Sequence, residues 1–254
     1  MLGLCFALVI PFLAYYKRSI TALAAILASS MLLLAHAYDE ASMYLMILSF
    51  LVISIVEKAT KKRCSHSLKF VEKTSARDGI QILANGGIAT ICMFGFIASK
   101  HSFFLVLYAV SIAEALADSS ASAVGVAYGK QTYDICRLKR IENGISGGVT
   151  WVGTLAAFAS CALVGVYFYL IHHDLVLAFV IVASSFFGCM MDSVLGSSLQ
   201  RKNKCEVCGL ITEKTSHCHQ ETAYYSGLKF LNNDAVNFIS NLLAVIAACL
   251  YALG

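Results

Sequence analysis

Three aspartates stand at the ends of hydrophobic segments of this chain. Asp118 and Asp192 each close such a segment, and Asp234 opens the last one. An ionisable side chain inside lipid costs roughly 2.5–3.5 kcal/mol on insertion scales, so it is usually paired or functional. We predict that Asp118 and Asp192 lie at helix C-termini, where the helix dipole disfavours an anion without a cation. They are therefore expected to hold Mg²⁺ together with substrate phosphates, with Asp234 as a further catalytic residue.

Small hydroxyl side chains surround Asp118, and a second acid precedes it. Glu114 lies four residues earlier, so the two carboxylates share a helix face and repel each other unless a cation lies between them. Ser119 and Ser122 follow on the same segment and are predicted to bind substrate or nucleotide. The alternative is an aspartate that only accepts hydrogen bonds from these hydroxyls at a helix terminus.

Amide side chains open two of the hydrophobic segments. Gln81 and Asn85 are four residues apart and share a helix face, while Asn232, Asn233 and Asn237 accompany Asp234. We predict that all five amides bind substrate or nucleotide at the membrane interface. Helix N-capping is the alternative for Asn232 and Asn233, because asparagine is a favoured N-cap residue.

A glycine-rich stretch at the start of the sixth hydrophobic segment has the composition of a phosphate-binding turn. Such a turn at a helix N-terminus presents N–H groups to an anion, and basic residues stand just before it. Helix packing is the alternative role for its small residues. The residues predicted to bind phosphates are Lys139, Arg140, Gly144, Gly147 and Gly148, with Asn143 as a further catalytic candidate.

The polar stretch at residues 199–230 contains a spacing typical of zinc sites. A CxxC pair is followed by a His-Cys-His cluster at 217–219. Four protein ligands would close the coordination sphere, so the zinc would be structural; redox-sensitive thiols without a metal are the other interpretation. The predicted ligands are Cys205, Cys208, Cys218 and His217, with His219 as the alternative histidine.

The elements that position these residues are predicted to be transmembrane helices. The 254-residue chain is 59% hydrophobic and 13% charged, whereas soluble domains average roughly 25% charged residues. Its hydrophobic runs lack the alternation of barrel strands, so the predicted fold is all-α, a polytopic helical bundle forming one integral membrane domain over 1–254. The eight expected spans are roughly 2–16, 19–37, 42–57, 78–98, 102–122, 143–171, 175–198 and 231–253.

The basic residues predict how the bundle sits in the membrane. Every Lys and Arg except Lys100 falls in a loop that follows an odd-numbered span, and positively charged loops stay in the cytoplasm. Both termini are therefore expected outside and the Cys/His loop inside, at a bacterial plasma membrane. Residues 64–77 read as a basic interfacial segment that either anchors to anionic lipid or binds substrate. No nucleic-acid partner is expected.

Taken in order, the polar motifs resemble those of a known membrane family. They are QILANGG at 81–87, ADSSAS at 117–122, GISGGVT at 144–150, DSVLG at 192–196 and NNDAVN at 232–237. In combination they are similar to the family called domain of unknown function 92, which includes phytyl-phosphate kinases and transmembrane protein 19-like proteins. The resemblance covers nearly the whole chain.

The resemblance implies phosphoryl transfer from a nucleoside triphosphate, with CTP favoured, to an isoprenoid monophosphate. The implied reaction uses Mg²⁺ and takes place at the cytoplasmic face, on a phytyl or prenyl phosphate dissolved in membrane lipid. A lipid-phosphate cytidylyltransferase or a polyprenol kinase is the alternative of related chemistry, and a transporter or a non-catalytic scaffold is the alternative of another class. One departure bears on activity, since family members usually show a glutamate where this chain has Ala123.

Overall fold

The computed structural model describes residues 2–61, 63 and 76–253 of the chain. This part contains eight helices, as the sequence predicts. Helices α3–α8 are long and apolar enough to cross a membrane, whereas α1 and α2 have only 15 and 17 residues. The helices are α1 (Leu2–Tyr16), α2 (Ala22–Tyr38), α3 (Glu40–Thr60), α4 (Gly79–Ser99), α5 (Phe103–Tyr128), α6 (Trp151–His172), α7 (Leu175–Ser198) and α8 (Asn233–Leu253).

Four helices depart from their predicted boundaries by three residues or more, and the first of them, α2, begins at Ala22 rather than at 19. α3 and α5 extend to Thr60 and Tyr128, beyond the predicted ends at 57 and 122. α6 begins at Trp151 rather than at 143, because Gly144 and Gly147 adopt positive φ angles of 99° and 84° that interrupt a helix. Within the basic segment predicted at 64–77, residues 64–75 lie outside those described.

The two long polar loops around the predicted site contain short β-strands, so the all-α expectation applies to the membrane-spanning part. Between α5 and α6, one strand pairs antiparallel with two others. Between α7 and α8, a second three-stranded sheet and a separate hairpin form. The strands are β1 (Thr132–Asp134), β2 (Arg140–Ile141) and β3 (Gly148–Val149) in the order β2-β1-β3, then β4 (Lys202–Lys204), β5 (Ile211–Thr212) and β8 (Ala223–Ser226) in the order β5-β4-β8, with β6 (Ser216–His217) paired to β7 (Gln220–Glu221).

Polar side chains cap the helix starts at both ends of the bundle. At one end Asp39 caps α3 and Asp174 caps α7, each accepting a main-chain N–H at 2.8 and 2.9 Å. At the opposite end Asp78 and Gln81 form a capping box on α4, and Thr150 caps α6. Each of these four spans therefore starts where a side chain accepts a hydrogen bond from a main-chain N–H of the first turn.

Contacts between the turns show that successive helices alternate in direction. The turn between α1 and α2 lies beside the start of α4, where the N–H of Thr21 donates to the carbonyl oxygen of Arg77 (2.9 Å). At the other end Tyr108 and Tyr167 donate to main-chain carbonyls at the start of α3 (3.2 and 2.7 Å). The described parts of the loops that carry the basic residues therefore share one end of the bundle. That this end faces the cytoplasm stays a prediction.

Helix α5 is the centre of the bundle. It packs against α3, α4, α6, α7 and α8. In its apolar 18-residue stretch 72% of the residues are buried, against 28–39% in the corresponding stretches of the other spanning helices. Gly188 of α7 allows α5 and α8 to pack closely against α7, because a Cβ there would lie 2.5 Å from the Cβ of Ala244 and 2.8 Å from the Cγ of Glu114. The contact between α5, α7 and α8 thus depends on a glycine at this position.

We predict that Gly188→Ala lowers the free energy of unfolding by about 1–3 kcal/mol, because the added methyl group overpacks this contact. Gly87→Ala is the matched control, since a Cβ there meets its nearest neighbour, an atom of Phe238, at an ordinary 3.8 Å. Thermal unfolding of both variants in detergent, followed by circular dichroism, measures the difference. Equal loss of stability in the two variants would contradict the assigned packing.

Candidate functional site

A polar cavity of about 160 Å³ lies at the loop end of α5 and α7, beside the first residue of α8 and the glycine-rich turn. We call it the polar chamber. Residues 143–150 form one of its walls. The structure thus brings Asp118 and Asp192 together with the predicted turn. Its acid, amide and hydroxyl side chains are Asp118, Ser122, Asn143, Ser146, Thr150, Thr154, Asp192, Ser193, Gln200, Glu213 and Asn233.

Asp118 and Asp192 lie inside their helices rather than at the predicted C-termini. Both helices continue beyond the aspartates, because the small residues that follow pack closely against neighbouring segments. At Gly125, for example, a Cβ would lie 2.9 Å from Oγ1 of Thr150 at the start of α6. The helix dipole is therefore no reason for a cation here. The reason that remains is the gathering of carboxylates in one cavity.

The hydroxyl of Ser240 joins two acids beneath the chamber. Its Oγ lies 2.8 Å from Oε1 of Glu114 and 3.2 Å from Oδ2 of Asp192. The side-chain amide of Asn237 also donates to Oδ2 of Asp192 (3.2 Å) and to the carbonyl oxygen of Asn233 (3.0 Å). Polar groups of α8 therefore hold the Asp192 carboxylate in one orientation.

Glu114 extends this polar network into the apolar interior of the bundle. Asn241 Nδ2 donates to Oε2 of Glu114 (2.7 Å) and to the carbonyl oxygen of Ser111 (2.9 Å), and Ser111 Oγ donates to Oδ1 of Asn241 (2.7 Å). These side chains and Ser240 are at most 2% exposed. The polar residues thus reach deeper than the predicted membrane face. Only helical spacing from Glu114 could have indicated Ser111, and only spacing from Asn237 could have indicated Asn241.

The glycine-rich turn is hydrogen-bonded to α5 and packed against α7. It does not form the N-terminus of a helix. Asn143 Nδ2 donates to a main-chain carbonyl of α5 (2.9 Å), and a Cβ on Gly147 would lie 2.4 Å from the Cα of Ser197 on α7. The positive φ of Gly147 permits this backbone approach. The turn lines the chamber, while α6 starts after it with Thr150 as the N-cap.

Two buried charged side chains outside the membrane helices support this wall. Asp134 Oδ1 accepts from the hydroxyl of Ser197 and the N–H of Arg137, both at 2.8 Å. Burial works to raise the pKa of Asp134, but these hydrogen bonds and the Arg137 charge outweigh it and lower the pKa. Lys202 Nζ donates to the carbonyl oxygens of Ser146 (3.3 Å) and Ser197 (3.2 Å), and burial lowers its pKa. Both side chains hold the end of α7 against the turn.

Two further residues line the chamber, although no sequence pattern predicts that they do. Glu213 lies between β5 and β6 and accepts a hydrogen bond from the hydroxyl of Ser146. Gln200 is 3% exposed, and its Nε2 has no hydrogen-bond partner among the described residues. A buried unpaired donor in the wall of a cavity is suited to an anionic ligand such as a phosphate oxygen. Neither residue belongs to a periodic segment, so no local pattern could have found them.

Several predicted binding residues lie outside the chamber lining. Gln81 closes the capping box of α4, and Asn85 donates to the carbonyl oxygen of Gln81 (2.8 Å). Lys139 and Arg140 are exposed, and the Arg140 guanidinium lies 5.9 Å from the ring of a neighbouring tyrosine. Ser119 is absent from the linings of the chamber and of the groove described next. Their roles in binding stay predictions.

An apolar groove of about 720 Å³ lies mainly between α4 and α8. We call it the apolar groove. Ile80 and Leu83 of α4 line it and are 63% and 45% exposed. At its polar end are Asp234, which is buried, and Asn232, which caps α8 by accepting a main-chain N–H at 3.0 Å. Asn233 lies between these two residues and lines the chamber. The first turn of α8 therefore contributes to both cavities.

Four side chains of the 199–230 loop meet as the zinc spacing predicts. The ligand atoms of Cys205, Cys208, His217 and Cys218 all lie within 4.8 Å of one another. Among the described residues this is the one group of three or more potential ligands that is so compact, and His217 rather than His219 belongs to it. The N–H of Cys208 and the His217 ring lower the pKa of Cys205 to about 6. The chamber carboxylates are less tightly grouped, which suits Mg²⁺, because it keeps several waters and needs only one or two carboxylates.

Comparison with known proteins matches this chain to one family. The family described as integral membrane protein DUF92 matches residues 5–245. An uncharacterized membrane protein of Methanocaldococcus jannaschii is 27% identical over 62% of this chain and 65% of its own length. Two Arabidopsis thaliana proteins, protein VTE6, chloroplastic, and protein PGR, are 27% and 28% identical over 85% and 66% of this chain.

This chain spans less than two thirds of these relatives' own lengths, 60% for protein VTE6 and 66% for protein PGR. No solved structure matches the chain.

We expect Asp118→Asn and Asp192→Asn each to weaken Mn²⁺ binding by at least about tenfold, because loss of even an outer-shell partner typically costs a metal site that much. Asp174→Asn is the matched control. It lies at the other end of α7 and caps the helix, a role that asparagine fills equally well. Titration with Mn²⁺ alone, followed by electron paramagnetic resonance, measures binding. Unchanged affinity in both chamber variants would show that these carboxylates hold no cation.

Proposed function

Because the chain belongs to the DUF92 family of integral membrane proteins, we propose that it is an isoprenoid-phosphate kinase. It transfers the terminal phosphoryl group of a nucleoside triphosphate, CTP in the first instance, to a phytyl or prenyl monophosphate. The observation that carries this proposal is the meeting of two cavities at the first turn of α8. Asn233 lines the polar chamber, while Asn232 and Asp234 line the apolar groove. A lipid monophosphate has the same division between a charged head and an apolar chain.

The apolar groove suits the isoprenoid chain of the substrate. Its volume of about 720 Å³ lies within the range of roughly 300–1,000 Å³ typical of small-molecule sites. Its lining is apolar apart from Thr90, Asn232 and Asp234. Ile80 and Leu83 are exposed on a spanning helix, so a substrate dissolved in the bilayer reaches the groove sideways. The chain then stays in apolar surroundings throughout.

The polar chamber suits phosphate groups and a cation rather than a whole nucleotide. Its volume of about 160 Å³ is below the usual range of roughly 300–1,000 Å³ for a small-molecule site, so the base and ribose lie outside it. Asp118 and Asp192 would hold Mg²⁺, and the ion would supply positive charge to offset the negative charge of the phosphoryl group. The glycine-rich turn and Nε2 of Gln200 donate hydrogen bonds to phosphate oxygens. Glu213 supplies a third acid from the loop wall.

The proposed reaction needs positioning more than proton transfer. The acceptor is a phosphate monoester whose second pKa is about 6, so it is largely dianionic at neutral pH and needs no general base. One of its oxygens attacks the γ-phosphorus, the bond from that phosphorus to the bridging oxygen breaks, and the nucleoside diphosphate leaves with both bonding electrons. Asn232 and Asn233 orient the attacking phosphate between groove and chamber, which fixes the line of attack.

The proposed site faces the cytoplasm of a bacterial cell. The chamber lies at the end of the bundle that carries the basic loops, and such loops are retained on the cytoplasmic side. Nucleoside triphosphates are available on that side. The orientation therefore agrees with the proposed nucleotide substrate.

We predict that the purified protein converts phytyl phosphate, CTP and Mg²⁺ to phytyl diphosphate and CDP. Asp118→Asn or Asp192→Asn is expected to lower the rate by about 10² or more, because each removes charge stabilisation from the transferring group. Asp174→Asn is the control and keeps the rate. Chromatography of both products decides between mechanisms. A CDP-lipid with pyrophosphate would show nucleotidyl transfer instead, and solute flux in liposomes without either product would identify a transporter.

Gly87→Leu is expected to separate long substrates from short ones. The side chain projects into the apolar groove beside Phe238 and displaces part of a phytyl chain, which costs about 0.8 kcal/mol for each methylene group that loses its contacts. We predict a loss of about tenfold or more in kcat/KM for phytyl phosphate and little change for dimethylallyl phosphate. Gly87→Ala is the size control. An equal loss for both substrates would place the chain elsewhere.

A further inference from the structure

We propose that Cys205, Cys208, His217 and Cys218 bind one structural Zn²⁺, and that this metal holds Glu213 in the polar chamber. The zinc site itself does not depend on the proposed kinase activity. Its ligands lie in the loop between α7 and α8, outside the membrane helices. No chamber or groove residue belongs to the ligand set.

The spacing of the ligand atoms fits a tetrahedral zinc ion. Zn–S bonds of about 2.3 Å and Zn–N bonds of about 2.0–2.1 Å place tetrahedral ligands roughly 3.5–3.8 Å apart. The Sγ atom of Cys208 lies 3.5 Å from Nδ1 of His217, and that of Cys218 lies 3.2 Å from it. All four ligand atoms lie within 4.8 Å of one another.

Two tight turns present these ligands to each other. In the first, the N–H of Gly209 donates to the carbonyl oxygen of Cys205 (2.8 Å) and the N–H of Cys205 to that of Leu210 (2.9 Å). Gly209 has a φ of 73°, so the chain turns sharply after the CxxC pair. The second turn joins β6 to β7 through Cys218 and His219, with φ values of 52° and 63°.

The second turn has a backbone conformation that costs free energy for the residues it contains. Two successive positive φ angles match a type I′ hairpin turn, which usually contains asparagine, aspartate or glycine. Other residues in this region cost of order 1–3 kcal/mol each unless the surroundings hold them. The hairpin pairs two residues on each strand, and Thr222 adds an N–H bond to the carbonyl oxygen of Thr215 (3.0 Å) and a hydroxyl bond to that of Lys214 (2.6 Å). Because so short a hairpin is marginally stable alone, a metal bound to His217 and Cys218 would add a contact at the turn itself.

The metal would fix both ends of the segment that carries Glu213. This segment runs from Cys208 to His217, and Asn203 of β4 donates to the carbonyl oxygens of Glu213 (3.4 Å) and Lys214 (3.0 Å) within it. The Glu213 carboxylate then accepts from Ser146 on the glycine-rich turn. Four protein ligands leave no open position for substrate, so the zinc acts on the chamber through the fold of the loop.

Metal analysis of the full-length protein in detergent tests the proposal. We expect about one zinc ion per chain in the wild type, and loss of that zinc in Cys208→Ser and His217→Ala. Cys136→Ser is the matched control, because Cys136 is an exposed free cysteine in the other polar loop, and it should keep the metal. Cys218→His should also keep it, since a Cys₂His₂ set still binds zinc.

Two measurements on the wild type apply even where a variant fails to fold. Chelator treatment should expose residues 205–221 to protease, and added zinc should restore protection. Replacement with Co²⁺ should give the visible absorption of a tetrahedral thiolate site. Wild-type protein with no zinc or Co²⁺ binding and a Cys205–Cys208 disulfide would overturn the proposal in favour of a redox pair. Zinc binding with no change in protection would overturn the link to the loop.

Discussion

The polar chamber depends on how the bundle stabilises acids in an apolar interior. Glu114 and Asp192 would be costly without partners, and the single hydroxyl of Ser240 touches both. A hydroxyl donates to one acceptor at a time, so Asn241 and Asn237 supply further donors to the two carboxylates. These hydrogen bonds form only while α5, α7 and α8 keep their register, which is their relative position along the bundle axis. That same register places Asp118 and Asp192 in one cavity.

The chamber is built from two kinds of structure that meet at backbone contacts. The helices form its floor and sides, and Gly188 lets α8 approach α7 closely enough for Ser240 to reach both acids. The polar loops form the remaining wall, and Gly147 lets that wall rest directly on the backbone of α7 at Ser197. Side chains larger than hydrogen at either glycine would separate the parts.

The helices were predictable because the bilayer imposes length and hydropathy on every span. The sequence predicts α7 at 175–198, and it is found there. It also singles out Asp118 and Asp192, since carboxylates are rare in apolar segments. It misplaces the start of α6, because hydropathy does not separate an apolar glycine-rich turn from a helix. Glu213 contacts Ser146 across 67 residues of sequence, and no local pattern encodes so distant a pairing.

Ala123 stands where the family resemblance implies a glutamate, and the structure shows which side of α5 this position occupies. The chamber face of α5 consists of Asp118, Ala121, Ser122, Gly125 and Val126, which follow a helical spacing of three and four residues. Residue 123 lies about 130° around the helix from the centre of that face, so a glutamate there would not share the position of Asp118. Glu114 does continue the chamber face one turn deeper, and Ser240 links it to Asp192. This chain therefore keeps its acids on the face that lines the cavity, and the loop adds Glu213 from the opposite wall.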